Sequence, residues 1–402
     1  MIATLRPVLA AGIAVAAFAG PATAEDIKIG FLGGITGPIE SLVPPIVDGA
    51  QLALRHVNEQ GGLLGGNNAV LVVGDTTCAD ATKAADAADR VVNVDKVVAI
   101  VGALCSGATI SAANNAAIPG GVVMISPAST SPAITTMDDK DLVYRTATSD
   151  AYQGEVLARL IASKGVTNIA ITYVNNDYGK GLAESLASAF PNNGGTVAVN
   201  EAHEDGKADY RSELGSLAAS GVTDLVIIGY ADGSGGTILR QALETGDFTQ
   251  FFSADGMVSD KIAAELGSQL EGKLVMTKPG TPEIPGAASF NKLAADAGVK
   301  ADGVFVPNSY DAAFIIALAI EQAGSTDRAE IAKHIRDVAS APGDVILPGE
   351  WAKAVEAIKA GRGVNYEGAA GGHDFDENGD VSTVFLHTEV KDGKVVELGL
   401  AE

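Results

Sequence analysis

Short, uniformly apolar runs alternate with helical stripes along most of this chain, and that alternation restricts it to an α/β architecture. The run 27–33 is followed by Ile46, Ala50, Leu54 and Val57 on one helical face, closed by Gly61-Gly62. Residues 70–73 read as the next strand. Ala81, Ala84, Ala85, Ala88 and Val91 then form an Ala-rich stripe able to pack close to a sheet. The runs 97–101 and 122–125 continue the series. Apolar runs without polar alternation belong to strands covered on both faces, so the pattern predicts a parallel sheet with helices above and below.

A second series of similar period begins near Asp150. It reads as helix 152–163, strand 169–174, helix 182–190, strand 197–200, helix 211–219, strand 225–229 and helix 238–243. The expected fold is therefore two doubly wound parallel-sheet lobes, with residues 141–146 as an extended crossing between them. The later part is less regular: a strand at 273–278, a Pro/Gly-rich stretch, helices at 310–322 and 329–338, and a terminal hairpin around Asp392-Gly393.

The first 24 residues carry the pattern of an export signal. Arg6 precedes an apolar, Ala-rich run at 8–20, and Ala22-Thr23-Ala24 is a small-residue cleavage site. The run is too short and too weakly apolar for a permanent anchor, and no Cys stands at the cleavage site. The expected product is soluble, lies outside the cytoplasm and starts at Glu25. The remaining length suits two ordinary domains.

A formal charge of −23, one unit more negative without Arg6, argues against nucleic acid or an anionic membrane as partner. It leaves an anionic ligand open, because a local helix dipole outweighs distant charges screened by salt. The chain has two cysteines, Cys78 and Cys105. In an exported protein this suggests one disulfide, contributing about 3 kcal/mol on a model-dependent account. Two buried free thiols is the alternative.

Two loops after strands offer a binding site. Leu104-Cys105-Ser106-Gly107-Ala108-Thr109 leads into a helix, and Ser126-Pro127-Ala128-Ser129-Thr130 follows the next strand. Small hydroxyl residues there, with exposed backbone N–H groups at a helix start, suit a carboxylate. Ser106 and Thr130 read equally as caps or turn residues. In the second series, Tyr178 follows a strand and could cover a ligand, or simply pack at the strand end. Asp255, after Phe251-Phe252, could pair with an ammonium, or cap a turn.

Enzyme signatures are scarce. There is no Walker A sequence, H-E-x-x-H, G-x-S-x-G or C-x-x-C, and the five histidines are scattered. The expectation is no catalytic residue, no cofactor and no metal. Residues 374–380 begin like a calcium loop, but Phe385 stands where the bidentate Glu belongs, so a polar hairpin turn is the preferred reading. Gly233-Ser234-Gly235-Gly236 reads as a flexible loop, not a dinucleotide fingerprint.

Taken in order, these segments resemble the periplasmic leucine/isoleucine/valine-binding proteins of ABC importers, within the type I periplasmic binding protein family. The shared pieces include Thr36-Gly37-Pro38, Gly49-Ala50-Gln51-Leu52-Ala53, Leu104-Cys105-Ser106, Ser126-Pro127-Ala128, Asp177-Tyr178-Gly179 and Thr277-Lys278-Pro279. The resemblance implies a ligand cleft between two lobes joined by three crossing strands. The lobes would be 25–146 with 277–385, and 147–276 with 386–402. It implies a Cys78–Cys105 bridge.

It further implies a head-group site of Ser106, Ala128, Thr130, Tyr178 and Asp255, with Leu104 beside it. The side-chain pocket departs from the pattern. Leu42 stands where relatives often carry an aromatic residue, Tyr230 is one place from the usual cleft Tyr, and Asp255 is shorter than the usual Glu. The function implied is capture of a small amino acid, branched-chain favoured, by a monomeric periplasmic receptor that hands it to a membrane permease. Amides, small carboxylates or a role as a ligand-sensing subunit are the alternatives.

Overall fold

The computed structural model describes residues 24–401. The export signal assigned to residues 1–24 therefore lies, but for Ala24, outside the described residues. Among the described residues, no helix is long and apolar enough to cross a membrane.

The first sheet is built from β1 (Asp26–Gly33), β2 (Asn68–Asp75), β3 (Ala99–Gly102), β4 (Met124–Ser126) and β5 (Val143–Arg145), in the order β2-β1-β3-β4-β5. All pairs are parallel. The connections carry α1 (Val43–Glu59), α2 (Ala81–Asp89), α3 (Ser106–Ala112) and α4 (Pro132–Thr135). The chain then crosses to a second sheet through α5 (Asp150–Ser163), β6 (Asn168–Val174), α6 (Asp177–Ala189), β7 (Thr196–His203), α7 (Arg211–Ala218), β8 (Asp224–Ile228), α8 (Ser234–Thr245), β9 (Gln250–Ser253), α9 (Asp260–Leu266) and β10 (Leu274–Pro279).

It returns through α10 (Pro285–Ala297), α11 (Val306–Ala323), α12 (Arg328–Lys333), α13 (Ile335–Ala339), β11 (Asp344–Ile346), α14 (Trp351–Lys359) and β12 (Val364–Tyr366), with α11 and α14 packed against α1 and the rest grouped around α11. The hairpin of β13 (Phe385–Lys391) and β14 (Lys394–Leu400) closes the second sheet, whose order is β14-β13-β10-β9-β8-β6-β7. Each sheet with its helices is called a lobe below.

The helices form where the apolar stripes lie. Along α1, Ile46, Ala50, Leu54 and Val57 are buried. Helix α11 is buried almost throughout, from Val306 to Glu321, because it is sandwiched between α1 and other elements of its lobe. The small residues of α2, Ala84 and Ala88, are fully buried, as close packing on a sheet requires.

The three crossings between lobes are stitched together. The Thr383 N–H donates to Thr148 Oγ1 at 2.9 Å, and the Gly280 N–H donates to the Val384 carbonyl at 2.8 Å. Thr146 and Asn308 exchange a pair of hydrogen bonds at the base of the first crossing.

The structure departs from the sequence reading in several places. Residues 141–146 are not simply a crossing: Val143–Arg145 is strand β5, buried along its length. Arg145 is tolerated there because Asp380 receives its Nη2 at 2.8 Å. Strand β9 was missed, since its apolar core is only Phe251-Phe252 flanked by polar residues. Residues 233–236 are not a loop: α8 starts at Ser234, and Gly235 and Gly236 pack directly on the backbone of Tyr230 and Ala231. Residues 329–338 break into α12 and α13 at His334. Helices α10 and α14 and the β11–β12 pair had no clear period in the sequence.

Candidate functional site

Both sheets point their carboxyl-terminal strand ends into one cleft. In each sheet the strand order reverses there, between β1 and β3 in the first and between β6 and β8 in the second. Such reversals leave a crevice, because the connections on either side run to opposite faces. The loops after these four strands, together with those after β4 and β9, carry the candidate residues.

One buried cavity is lined by Leu42, Leu104, Ser106, Ala128, Tyr178, Tyr230 and Asp255. Seven of the eight residues expected at a head-group site or side-chain pocket thus meet in one place. The exception is Thr130, which stands one step behind the wall, buried, with its carbonyl accepting the Asp150 N–H at 2.8 Å. Ile39, Ile46, Cys105, Gly256 and Phe305 complete the lining.

The first wall is held rigidly. Cys78 and Cys105 form a disulfide, which ties the loop after β2 to the residue that caps α3. The hydroxyls of Thr109, Ser126 and Ser129 surround the Ala103 carbonyl within hydrogen-bond distance. Gly102 sits at φ 120°, with a Cβ there only 2.5 Å from the Leu32 carbonyl oxygen, so no side chain fits. Ser106 Oγ accepts the Ser131 N–H at 3.2 Å, which leaves its own O–H free to donate into the cavity. The first intrahelical bond of α3 runs from Thr109 to the Cys105 carbonyl, so the N–H groups of Ser106, Gly107 and Ala108 precede it. This wall therefore offers donors and suits an anion.

The opposite wall offers acceptors. Tyr178 and Tyr230 stack with ring centroids 5.3 Å apart and planes tilted by 20°. Tyr230 reaches the cleft despite its one-place offset, because α8 begins directly after the turn that carries it. Tyr178 Oη accepts the Gly256 N–H at 3.3 Å and so keeps its own proton available. Burial, then the carboxylates of Asp255 and Asp150, hold the Tyr178 phenol well above its ordinary pKa. Asp255 is 4 % exposed, and its Oδ1 has no hydrogen-bond partner. Burial pushes its pKa up to about 6.

Two further buried residues stand close to Asp255, outside the cavity's lining, and escaped the sequence reading. Asp150 is fully buried at the first turn of α5, with neither carboxylate oxygen hydrogen-bonded. Burial and then the Asp255 charge push its pKa well above the carboxylate range. Gln153, one turn later, is fully buried, and its Oε1 is also unpaired. No sequence signal could single out Asp150, since an Asp in a first helical turn is ordinarily a solvated complement to the helix dipole. Phe305 was missed too. It adopts φ 62°, uncommon for a bulky residue, at the residue that precedes α11.

Unpartnered buried acceptors cost free energy unless something supplies donors. One donor wall, one acceptor wall and an apolar side formed by Ile39, Leu42, Ile46, Leu104 and Phe305 together suit a compact molecule with a negative end, a positive end and an aliphatic body.

Residues 374–380 make a polar turn. The Asp376 carboxylate accepts the N–H groups of Asn378 and Asp380, and Asp380 is committed to Arg145. Among the described residues, no group of three or more potential metal ligands is clustered.

A family model described as periplasmic binding protein matches residues 26–394. The leucine-, isoleucine-, valine-, threonine- and alanine-binding protein of Pseudomonas aeruginosa is 33% identical over 336 residues, 82% of this chain and 87% of that protein. The Leu/Ile/Val-binding protein of Escherichia coli K12 is 32% identical over 349 residues, 85% of this chain and 91% of that protein. Among solved structures, the leucine binding protein LivK of Thermotoga maritima MSB8 superposes with a TM-score of 0.78 at 27% identity, covering 93% of this chain and 98% of its own.

Proposed function

The chain belongs to the periplasmic binding protein family, and from that premise we propose that it is the extracytoplasmic receptor of an ABC importer, capturing a branched-chain amino acid by both of its charges. The observation that carries the reading is the opposition of the two walls. Ser106, with the N–H groups around it, and the Ala128 backbone hold the ligand carboxylate, while Thr130 supports that wall from behind. Asp255, in the cavity lining with its buried Oδ1 unpaired, takes the ammonium from the other lobe, and the buried Asp150 beside it adds negative charge. Tyr178 covers the head group. Leu42, Leu104 and Tyr230, joined by Ile39, Ile46 and Phe305, enclose the aliphatic side chain. Burying a side chain of that size contributes about 1.5–3 kcal/mol.

Leucine, isoleucine and valine head the candidates because relatives at 32–33% identity are named for them. The lobes act as jaws about the three stitched crossings. A ligand that touches both walls only when they are shut shifts the population towards the closed form. That form, a monomer in the periplasm, docks on a membrane permease. The protein holds its ligand without transforming it.

Ligand released from denatured, purified protein and identified by mass spectrometry tests this directly, followed by a thermal-shift panel. Leucine, isoleucine or valine should be recovered or should raise the melting temperature most. Stabilisation by amides or simple carboxylates alone would overturn the assignment.

A further inference from the structure

The segment between β1 and α1 does two things at once. Ile39 and Leu42 line the cavity, while Pro38 and Ser41 are gripped by the other lobe. The Ser41 N–H donates to Asp232 Oδ2 at 2.9 Å, and the Asp232 N–H donates to the Pro38 carbonyl at 3.2 Å. Lys261 Nζ holds Asp232 Oδ1 at 2.8 Å, and the Asp232 side chain is only 4 % exposed. Asp232 does not line the cavity, yet Tyr230, two residues earlier, does. A second interlobe seat lies on α6. A Cβ on Gly181 would come 2.7 Å from Pro132 Cδ and 3.0 Å from Ser131 Oγ, both in the first lobe.

These contacts exist only while the lobes are together. If the lobes part, these contacts are the ones exchanged for water. The ion pair of Lys300 with Asp260, which does bridge the lobes, is half exposed on both sides and is expected to contribute little. Asp232 is different, because a nearly buried carboxylate bonded to a backbone N–H of the opposite lobe is a charge-assisted contact sheltered from solvent.

We infer that Asp232 is a positioning residue for ligand capture: it latches the Pro38–Ser41 segment to the second lobe and so sets affinity and residence time without touching the ligand. This rests on the reading of the cleft as an amino-acid site that closes. Affinity scales with the closed fraction, so a lost latch lowers affinity even though every ligand contact survives.

The test uses the full mature chain with leucine as probe, in stopped-flow and calorimetric titrations. Asp232→Ala should raise the dissociation rate and weaken affinity by about tenfold, with the association rate and the ligand-free melting temperature little changed. Asp232→Asn, which keeps an acceptor for the Ser41 N–H, should recover most of the loss. Gly181→Ala is the second probe. It favours the helix in either form but wedges the closed one, so leucine affinity should fall while ligand-free stability holds or rises. Wild-type leucine binding together with unaltered dissociation from both Asp232→Ala and Gly181→Ala overturns the latch and leaves the site assignment standing. A wild-type chain that binds no amino acid overturns the site assignment, and the latch with it.

Discussion

Asp150, at the crossing from the first lobe to the second, and Asp255, at the end of β9, place two carboxylates in the same buried region with at least one oxygen of each unpaired. Nothing else in the cleft so clearly asks for a positive charge. The Arg145 guanidinium, which is near enough to lower the Asp150 pKa, is itself committed to Asp380.

Removing either acid should therefore weaken amino-acid binding. Asp255→Ala and Asp150→Ala are each expected to cost tenfold or more in affinity, about 1.4 kcal/mol or above. Ser106→Ala should do the same from the carboxylate side. Isothermal titration with leucine reads all three, and unchanged affinity in all of them would contradict the two-wall site.

The raised acids also fix how binding responds to pH. Burial lifts Asp255 to about 6 and Asp150 in the same direction. An ammonium in the cavity favours the ionised carboxylates, so below that range binding releases protons. By linkage, affinity climbs with pH as Asp255 titrates, by at most about tenfold per unit for each proton released. Titrations near pH 5 and pH 7.5 check this, and Asp255→Asn should flatten the rise. A wild-type affinity that falls with pH across the window has the wrong sign for this account.

Reducing the Cys78–Cys105 bridge should destabilise the first lobe, since it closes a loop of 27 residues. The expected loss is about 3 kcal/mol on the chain-entropy estimate. Thermal and urea melts with and without reductant measure it, and identical melts would show that the bridge does not brace the wall carrying Ser106.

Arg145→Met should be among the most destabilising single changes outside the cleft. Arg145 is fully buried and Asp380 is 13% exposed, so the substitution strands a carboxylate in a poorly solvated place. A loss of about 3–5 kcal/mol is expected in urea unfolding. A change under 1 kcal/mol would mean that Asp380 finds solvent on its own.

The parts of the fold that the sequence revealed are those with a strong period. Strands such as β1 and β6, and helices such as α1 and α11, show it over many residues. Strand β5 and strand β9 were obscure because each buries only a few residues, and in β5 a charged side chain depends on Asp380, 235 positions away. The cleft followed the same division. Ser106, Ala128, Tyr178 and Asp255 lie in loops whose order and spacing carry a family resemblance, and they converge on the cavity. Asp150 and Phe305 could not be found that way. One looks like an ordinary first-turn acid, and the other is brought in by a left-handed backbone turn that composition does not announce.

The most direct test of the central claim is a pair of calorimetric titrations, one with leucine and one with its α-keto analogue, which has the same carboxylate and the same aliphatic body but no ammonium. The two buried acids predict tight binding of leucine and at least a hundredfold weaker binding, or none, of the keto acid. Equal affinity for both would mean that the cleft recognises only a carboxylate, and the zwitterion account would be wrong.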